Sequence, residues 1–132
     1  MRLQNYGTVF VTIADDDKAE ALPLIRRFYN LGFNIQATSG TATFLKANGI
    51  RTHVLGKISE GSGDIPDALR QGHIAYVINT RAAGDMSEDS DGGKIRQITT
   101  ENNVMIFTSL DTVRVLLDVL EETTLTISTI DM

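Results

Sequence analysis

The sequence predicts a three-layer α/β/α fold built around a five-stranded parallel sheet. Short runs of β-branched and apolar residues alternate with longer amphipathic stretches five times along the chain, a pattern typical of strands that are each followed by a helix. The first run, Thr8 to Ile13, is continuous rather than alternating, as expected for a strand covered on both faces. Strands separated by helices pair in parallel through right-handed crossovers, so helices cover both faces of the sheet.

Capping residues and breakers mark the boundaries of the predicted elements. The acidic residues Asp15 to Asp17 precede the first helix, and Gly32 ends it, because acidic groups favour helix starts and glycine favours helix ends. Pro23 predicts either a kink in this helix or its true first turn. Asp64 is predicted to cap a later helix that has Pro66 in its first turn. The predicted strands cover residues 8–13, 33–38, 51–55, 75–79 and 104–107, and the later helices cover 40–47, 64–71, 94–101 and 111–121.

The C-terminal tail, residues 124–132, has a different pattern. Leu125, Ile127 and Ile130 are interspersed with threonine and serine, which predicts an edge strand or a segment that docks elsewhere. No linker divides the preceding residues, so residues 1–132 are predicted to form a single domain with this tail.

Composition excludes several classes of function. The 132 residues include no cysteine, which excludes disulfides, zinc-thiolate sites and thiol catalysis. The formal charge of −5 argues against nucleic-acid binding, which needs a basic face. No apolar run is long enough for a membrane span, and the N-terminal residues lack a signal sequence, so the expected compartment is the cytoplasm. No metal site or cofactor is predicted, because neither His53 nor His73 has other metal-ligating residues nearby in sequence.

The ends of the predicted strands indicate a binding site. In parallel sheets of this kind ligands bind beyond the carboxyl ends of the strands. Thr38, Gly40 and Thr41 surround a predicted helix start, where hydroxyl and backbone N–H groups can bind an anion; helix capping is the alternative interpretation. Lys18 and Lys57 each follow a strand and could contribute positive charge to the same anion. Asn79 ends the fourth strand, where its amide suits a base or ribose edge, or an Asx turn.

Several of these segments together resemble the methylglyoxal-synthase-like domains, and most closely the C-terminal allosteric domains of the carbamoyl phosphate synthetase large subunit. The resemblance covers about Gly7 to Leu120. It rests on Lys18 and Lys94-Ile95-Arg96, together with the run Thr38-Ser39-Gly40-Thr41-Ala42, the loop Lys57-Ile58-Ser59-Glu60-Gly61 and the strand end Val77-Ile78-Asn79-Thr80.

The resemblance implies a regulatory function. It implies the strand order 3-2-1-4-5 and a pocket for nucleotide effectors such as UMP or IMP; some bacterial members respond instead to ornithine or phosphoribosyl pyrophosphate. The parent enzyme would make carbamoyl phosphate from glutamine with ATP, for arginine and pyrimidine synthesis. The partners would then be the synthetase domains of the same large chain and the glutaminase small subunit. The implied effector-binding residues are Thr12, Lys18, Thr38, Gly40, Thr41, Lys57, Asn79, Thr80 and Arg81.

Two departures and two alternatives accompany this prediction. Arg81 stands where some relatives have a small hydroxyl residue, and the loop from Gly84 to Gly93 is acidic where some are basic. A methylglyoxal synthase would need a histidine in the loop after the fourth strand, but residues 80–93 contain none. The domain alone is therefore predicted to be non-catalytic, with a phosphate-eliminating lyase as the alternative. A pure interaction module, with the tail as its docking segment, is the third hypothesis.

Overall fold

A computed structural model describes residue 4 and residues 6–57, 61–80 and 91–130. For residues 91, 92 and 124–130 it describes the backbone only. Five strands form one sheet in the order β3-β2-β1-β4-β5, and all four pairings are parallel. The strands are β1 (Thr8–Thr12), β2 (Asn34–Ala37), β3 (Thr52–Val54), β4 (Ile74–Asn79) and β5 (Met105–Phe107). The helices are α1 (Lys18–Asn30), α2 (Ser39–Ala47), α3 (Asp64–Arg70), α4 (Asp91–Glu101) and α5 (Leu110–Ile130). The predicted three-layer fold and strand order are confirmed.

The two layers of helices pack on opposite faces of the sheet because side chains alternate along each strand. Val9 and Val11 of β1 pack with α1, α2 and α5, through residues such as Phe28, Leu45 and Leu117. Phe10, between the two valines, points the other way. Its cluster contains Val77 of β4, Ile65 and Leu69 of α3, and Ile95 of α4. Strand β1 is buried along its whole length, as its continuous sequence predicted.

Helix α1 begins at Lys18, after a short 3-10 turn at Asp15–Asp17. Pro23 therefore lies inside the helix. The alternative that Pro23 marks the first turn is wrong. Gly32 follows the helix with φ +100°, a conformation that L residues with a side chain rarely adopt. The predicted stop at this glycine is confirmed.

Two expectations about helix boundaries were wrong. Helix α5 continues to Ile130, so the tail around Leu125 is helical and the edge-strand alternative is wrong, whereas docking of this segment elsewhere stays a prediction. Asp64 is the first residue of α3, whose cap position is Gly63. Its carboxylate instead accepts the backbone N–H of Gly56 at 2.9 Å, so it closes the loop before the helix rather than capping the helix itself.

Helices α1 and α5 are joined by two clusters of ion pairs. Near the start of both helices Arg114 contacts Glu20 at 2.5 Å and Asp111 at 2.7 Å. Further along, Arg27 contacts Asp118 at 2.8 Å and donates two hydrogen bonds to Glu121. These hydrogen bonds raise the pKa of Arg27, and the contact with Glu20 raises that of Arg114. None of the helices in the part of the chain described above is long and apolar enough to cross a membrane.

Candidate functional site

The candidate site lies where β1, β2 and β4 end. Parallel pairing brings these carboxyl ends to one edge of the sheet, since Val11 pairs with Ala37 and Thr12 pairs with Asn79. The next residues form the turn before α1 and the start of α2. The site residues that the sequence predicted in these segments are therefore brought together in space, and Arg81 lies outside the described residues.

Lys18 lies over the first turn of α2. A Cβ atom added to Gly40 would be 4.0 Å from the Lys18 Nζ, so the ammonium group sits beside the backbone of the helix start. Backbone N–H groups in the first turn of a helix have no partner within the helix, and the helix dipole makes this end positive. An ammonium group here adds to positive potential that already exists. The arrangement suits an anion.

In the ligand-free protein, the Asp15 carboxylate pairs with the Lys18 ammonium group. One carboxylate oxygen lies 2.6 Å from the Lys18 Nζ. The Asp15 side chain is 84% exposed, whereas that of Lys18 is 18% exposed. An ion pair with so exposed a carboxylate is worth little, because water solvates the Asp15 carboxylate well. A phosphate with two negative charges can therefore compete with Asp15 for Lys18.

Buried threonine hydroxyls join the strand ends to each other. The Thr41 hydroxyl, with no exposed surface, accepts the backbone N–H of Ile13 at 3.1 Å. The Thr80 hydroxyl accepts the N–H of Ala14 at 2.9 Å. The Thr38 hydroxyl lies 3.4 Å from that of Thr12.

The alternative interpretation of Thr38 as a helix cap is only partly correct. Thr38 occupies the cap position of α2, and its carbonyl accepts the N–H of Ala42 at 2.8 Å, but its side chain makes no capping hydrogen bond. Ser39 and Gly40, by contrast, are exposed. The accessible part of the helix start is therefore its backbone at these two residues together with Lys18.

Lys57 and Asn79 occupy different environments at the same edge. Asn79 is fully buried at the end of β4. Lys57 is partly exposed after β3, and its carbonyl accepts the N–H of Ser62 at 3.3 Å. The loop packs tightly against Gly56, where an added Cβ would lie 2.5 Å from the Ser62 hydroxyl oxygen. Glycine at position 56 thus allows the chain to turn closely before Lys57.

A second cavity at this edge was not predicted from the sequence. It has a volume of about 360 Å³ and lies where α1 and α5 begin, beside the ends of β4 and β5. Its charged residues are all acidic, namely Asp17, Glu20 and Asp111, and Thr80 and Ser109 add hydroxyl groups. Arg114 pairs with Glu20 and Asp111 and balances one of these three negative charges, so the described surroundings of the cavity keep a net negative charge, which suits a ligand with an ammonium group. The signal was available, because Thr108 and Ser109 follow a strand just as the other site segments do.

Within residues 6–57, 61–80 and 93–123, no three side chains of His, Asp or Glu are grouped so that they could hold a metal ion. Both histidines are exposed.

The fold is a three-layer α/β domain in which Lys18 and the start of α2 lie at the carboxyl edge of the sheet, beside an acidic cavity. Comparison with protein families agrees with this class. The family model for MGS-like domains matches residues 20–108, which is more than half of the chain. The chain therefore belongs to the MGS-like domain family.

Proposed function

We propose that this chain is a regulatory domain that binds a nucleotide effector, UMP or IMP, through its phosphate at the carboxyl edge of the sheet. The observation that supports this most directly is the position of the Lys18 ammonium group beside Gly40 at the start of α2. Membership of the MGS-like family supports it further. The phosphate would lie against Lys18 and the exposed backbone of Ser39 and Gly40.

The other predicted residues have supporting roles in this proposal. Lys57 approaches the phosphate from the loop after β3. Thr12, Thr38, Thr41 and Thr80 hold the ends of the strands and the start of α2 in place through their hydroxyl groups. Asn79 would face the ribose or base, and the family resemblance suggests the same role for Arg81, which lies outside the described residues.

The parent protein in this proposal is the large chain of a carbamoyl phosphate synthetase. The support is the sequence resemblance of the Thr38–Ala42 run and of the segments around Lys57 and Asn79. The domain would transmit effector binding to the synthetase domains of the same chain, which work with the glutaminase small subunit. Its compartment would be the cytoplasm.

The acidic cavity favours ornithine as a second effector. Ornithine carries two ammonium groups. Asp17 lines the cavity without an ion pair among the described residues, whereas Glu20 and Asp111 line it while paired with Arg114. The cavity is adjacent to the phosphate site but has the opposite charge. Both kinds of effector could therefore bind the same edge without competing for the same groups.

The lyase alternative has weaker support. Residues 80–93 contain no histidine, and the Asp64 carboxylate, the candidate base, is bonded to the N–H of Gly56. We expect no turnover of dihydroxyacetone phosphate by this chain. Turnover above the buffer rate that Asp64→Asn abolishes would establish the lyase instead.

The test compares Lys18, beside the start of α2, with Lys46, in its last turn, by calorimetric titration. Lys18→Met should weaken UMP or IMP binding at least tenfold, because a charge-assisted hydrogen bond is worth about 1.5–3 kcal/mol. Lys46→Met is the matched control: it removes the same charge from the last turn of α2, and affinity should not change. Asp15→Asn should strengthen binding, since it removes the carboxylate that competes for Lys18.

A thermal-shift panel separates the hypotheses. A ligand that binds only the folded chain raises the melting temperature. UMP, IMP, phosphoribosyl pyrophosphate, ornithine and dihydroxyacetone phosphate should be compared on the same protein. Equal effects of the Lys18 and Lys46 substitutions, or no shift with any nucleotide, would contradict the proposal and favour a pure interaction module.

A further inference from the structure

In the part of the chain that the structure describes, no helix packs over the beginning of β2 and β3 on one sheet face. Phe10, Gln36 and His53 lie side by side on β1, β2 and β3, and Phe10 also pairs with Val77 on β4. On the β1 and β4 side of this row, α3 and α4 cover Phe10 and Val77. On the β2 and β3 side, Leu55 just after β3 joins the same cluster, whereas Gln36 is partly exposed and His53 is exposed. Parallel sheets normally have both faces covered, so the exposure of these two strand residues is unusual.

A cleft of about 360 Å³ opens where β2 and β3 begin. Tyr29 of α1 and Ile35 line it from the other face of the sheet. Its polar lining is Thr8, Asn34, Gln36, Arg51, Thr52 and His53. We call this surface the β2–β3 cleft. Asn34, Arg51 and His53 are exposed, so the cleft is an open surface rather than an enclosed pocket. It belongs to the face and the beginning of the strands, whereas the effector site lies beyond their carboxyl ends.

The described residues that line the β2–β3 cleft include Arg51 and no carboxylate, although the chain has a formal charge of −5. Arg51 forms no ion pair with any residue that the structure describes. An exposed guanidinium group offers paired N–H donors that match a carboxylate.

Gln36 adds a side-chain carboxamide to the lining of the same cleft. Its side-chain oxygen is buried and has no hydrogen-bond donor in the described structure. Buried polar atoms nearly always have a partner. Half a turn of the carboxamide exchanges its oxygen and nitrogen, so the oxygen can meet a donor arriving from the open side of the cleft.

We propose that the β2–β3 cleft binds an acidic polypeptide segment of a partner protein. A glutamate or aspartate in such a segment provides both groups that the cleft lacks. Its carboxylate pairs with Arg51, and its backbone N–H donates to the Gln36 oxygen. The width of two strands suits an extended segment, and His53 adds a ring N–H donor at the sheet edge.

The first test is an NMR titration of the full chain. The probe is an acetylated, amidated heptapeptide of alternating glutamate and alanine. We expect it to shift the backbone signals of 34–36 and 51–53 and the side-chain NH₂ signals of Gln36. A lysine–alanine heptapeptide of the same length should leave them unchanged. Absence of these shifts, shifts centred on Lys18 instead, or equal shifts with sodium acetate would overturn the proposal.

Two charge reversals provide the matched comparison. Arg51→Glu should reduce the affinity of the acidic heptapeptide at least fivefold. Arg70→Glu makes the same change on α3, outside the cleft, and should preserve binding. Equal losses in both variants would mean that only the net charge of the chain matters, which contradicts a specific site.

A second measurement separates binding from folding. Gln36→Met keeps the length of the side chain but removes the unpartnered oxygen. The melting temperature of the free variant should equal or exceed that of the wild type, while the peptide-induced shifts should decrease. A melting temperature several degrees lower would show that Gln36 serves the fold, and the proposal would fail. UMP binding should be unchanged in every variant, which keeps this test independent of the effector site.

Discussion

The buried hydroxyl of Thr41 allows a direct test of how the candidate site is held together. It accepts the backbone N–H of Ile13 at 3.1 Å, and Thr41 has no exposed surface. Thr41→Val replaces the hydroxyl by a methyl group of similar size and leaves that N–H buried without an acceptor. Removing one partner of a buried hydrogen bond costs about 1–3 kcal/mol. The free energy of unfolding should fall by this amount.

This loss should be visible by calorimetry. For a domain of this length each kcal/mol corresponds to about 4 °C in melting temperature, so Thr41→Val should melt about 4–12 °C below the wild type. Thr41→Ser is the control, because it keeps the hydroxyl and loses one methyl group, at a cost of about 0.8 kcal/mol. The valine variant should therefore be the less stable of the two.

The same proteins decide between a structural and a ligand-binding hydroxyl. UMP titration should be measured well below the melting temperature of each variant. If the hydroxyl mainly holds Ile13, affinity should change less than about threefold, that is, by less than about 0.7 kcal/mol. Wild-type stability in Thr41→Val, combined with a tenfold or greater loss of affinity, would refute this account and make Thr41 a direct phosphate ligand.

Three further predictions concern other parts of the molecule. Lys57→Ala should weaken UMP binding about tenfold without lowering the melting temperature; unchanged titration would make Lys57 an ordinary surface charge. Burial raises the pKa of Tyr76 above its usual value near 10. The stability that the neutral Tyr76 side chain contributes is therefore complete below about pH 10 and is lost as the pH rises through the raised pKa. Urea unfolding from pH 8.5 to 11 should therefore show a steeper alkaline loss in the wild type than in Tyr76→Phe, and parallel curves would contradict this. Arg27→Met should cost about 0.5–1.5 kcal/mol in low salt and less in 1 M NaCl, measured by urea unfolding; a cost that salt does not change would exclude the ion pairs as its source.

Local patterns predicted most of the fold because its strands are buried and its helix ends have clear stops. The continuous run at Thr8 gave a strand within one residue of β1. The tail was mispredicted for a physical reason: β-branched residues and alternating threonines favour strands, yet α5 was already established by Leu116 and Leu120 in the core. Continuing a formed helix is easier than starting a new element.

The candidate site was only partly predictable because several of its contacts join distant segments. Lys18 and Asp15 are three residues apart, so their contact could have been expected from spacing alone. The hydrogen bond between Thr41 and Ile13 joins residues 28 positions apart, so no local sequence pattern predicts it. Asp64 looked like a cap because its bond to Gly56 depends on the path of the intervening loop.

The two ion-pair clusters between α1 and α5 fix how far these helices can slide. Arg114 holds Glu20 at one level, and Arg27 holds Glu121 at another. A slip along the common axis would break both clusters at once, so these contacts favour movement of the two helices together. Lys18 is two residues before Glu20. A shift of α1 caused at Lys18 would thus be passed to α5, whose 21 residues extend about 30 Å.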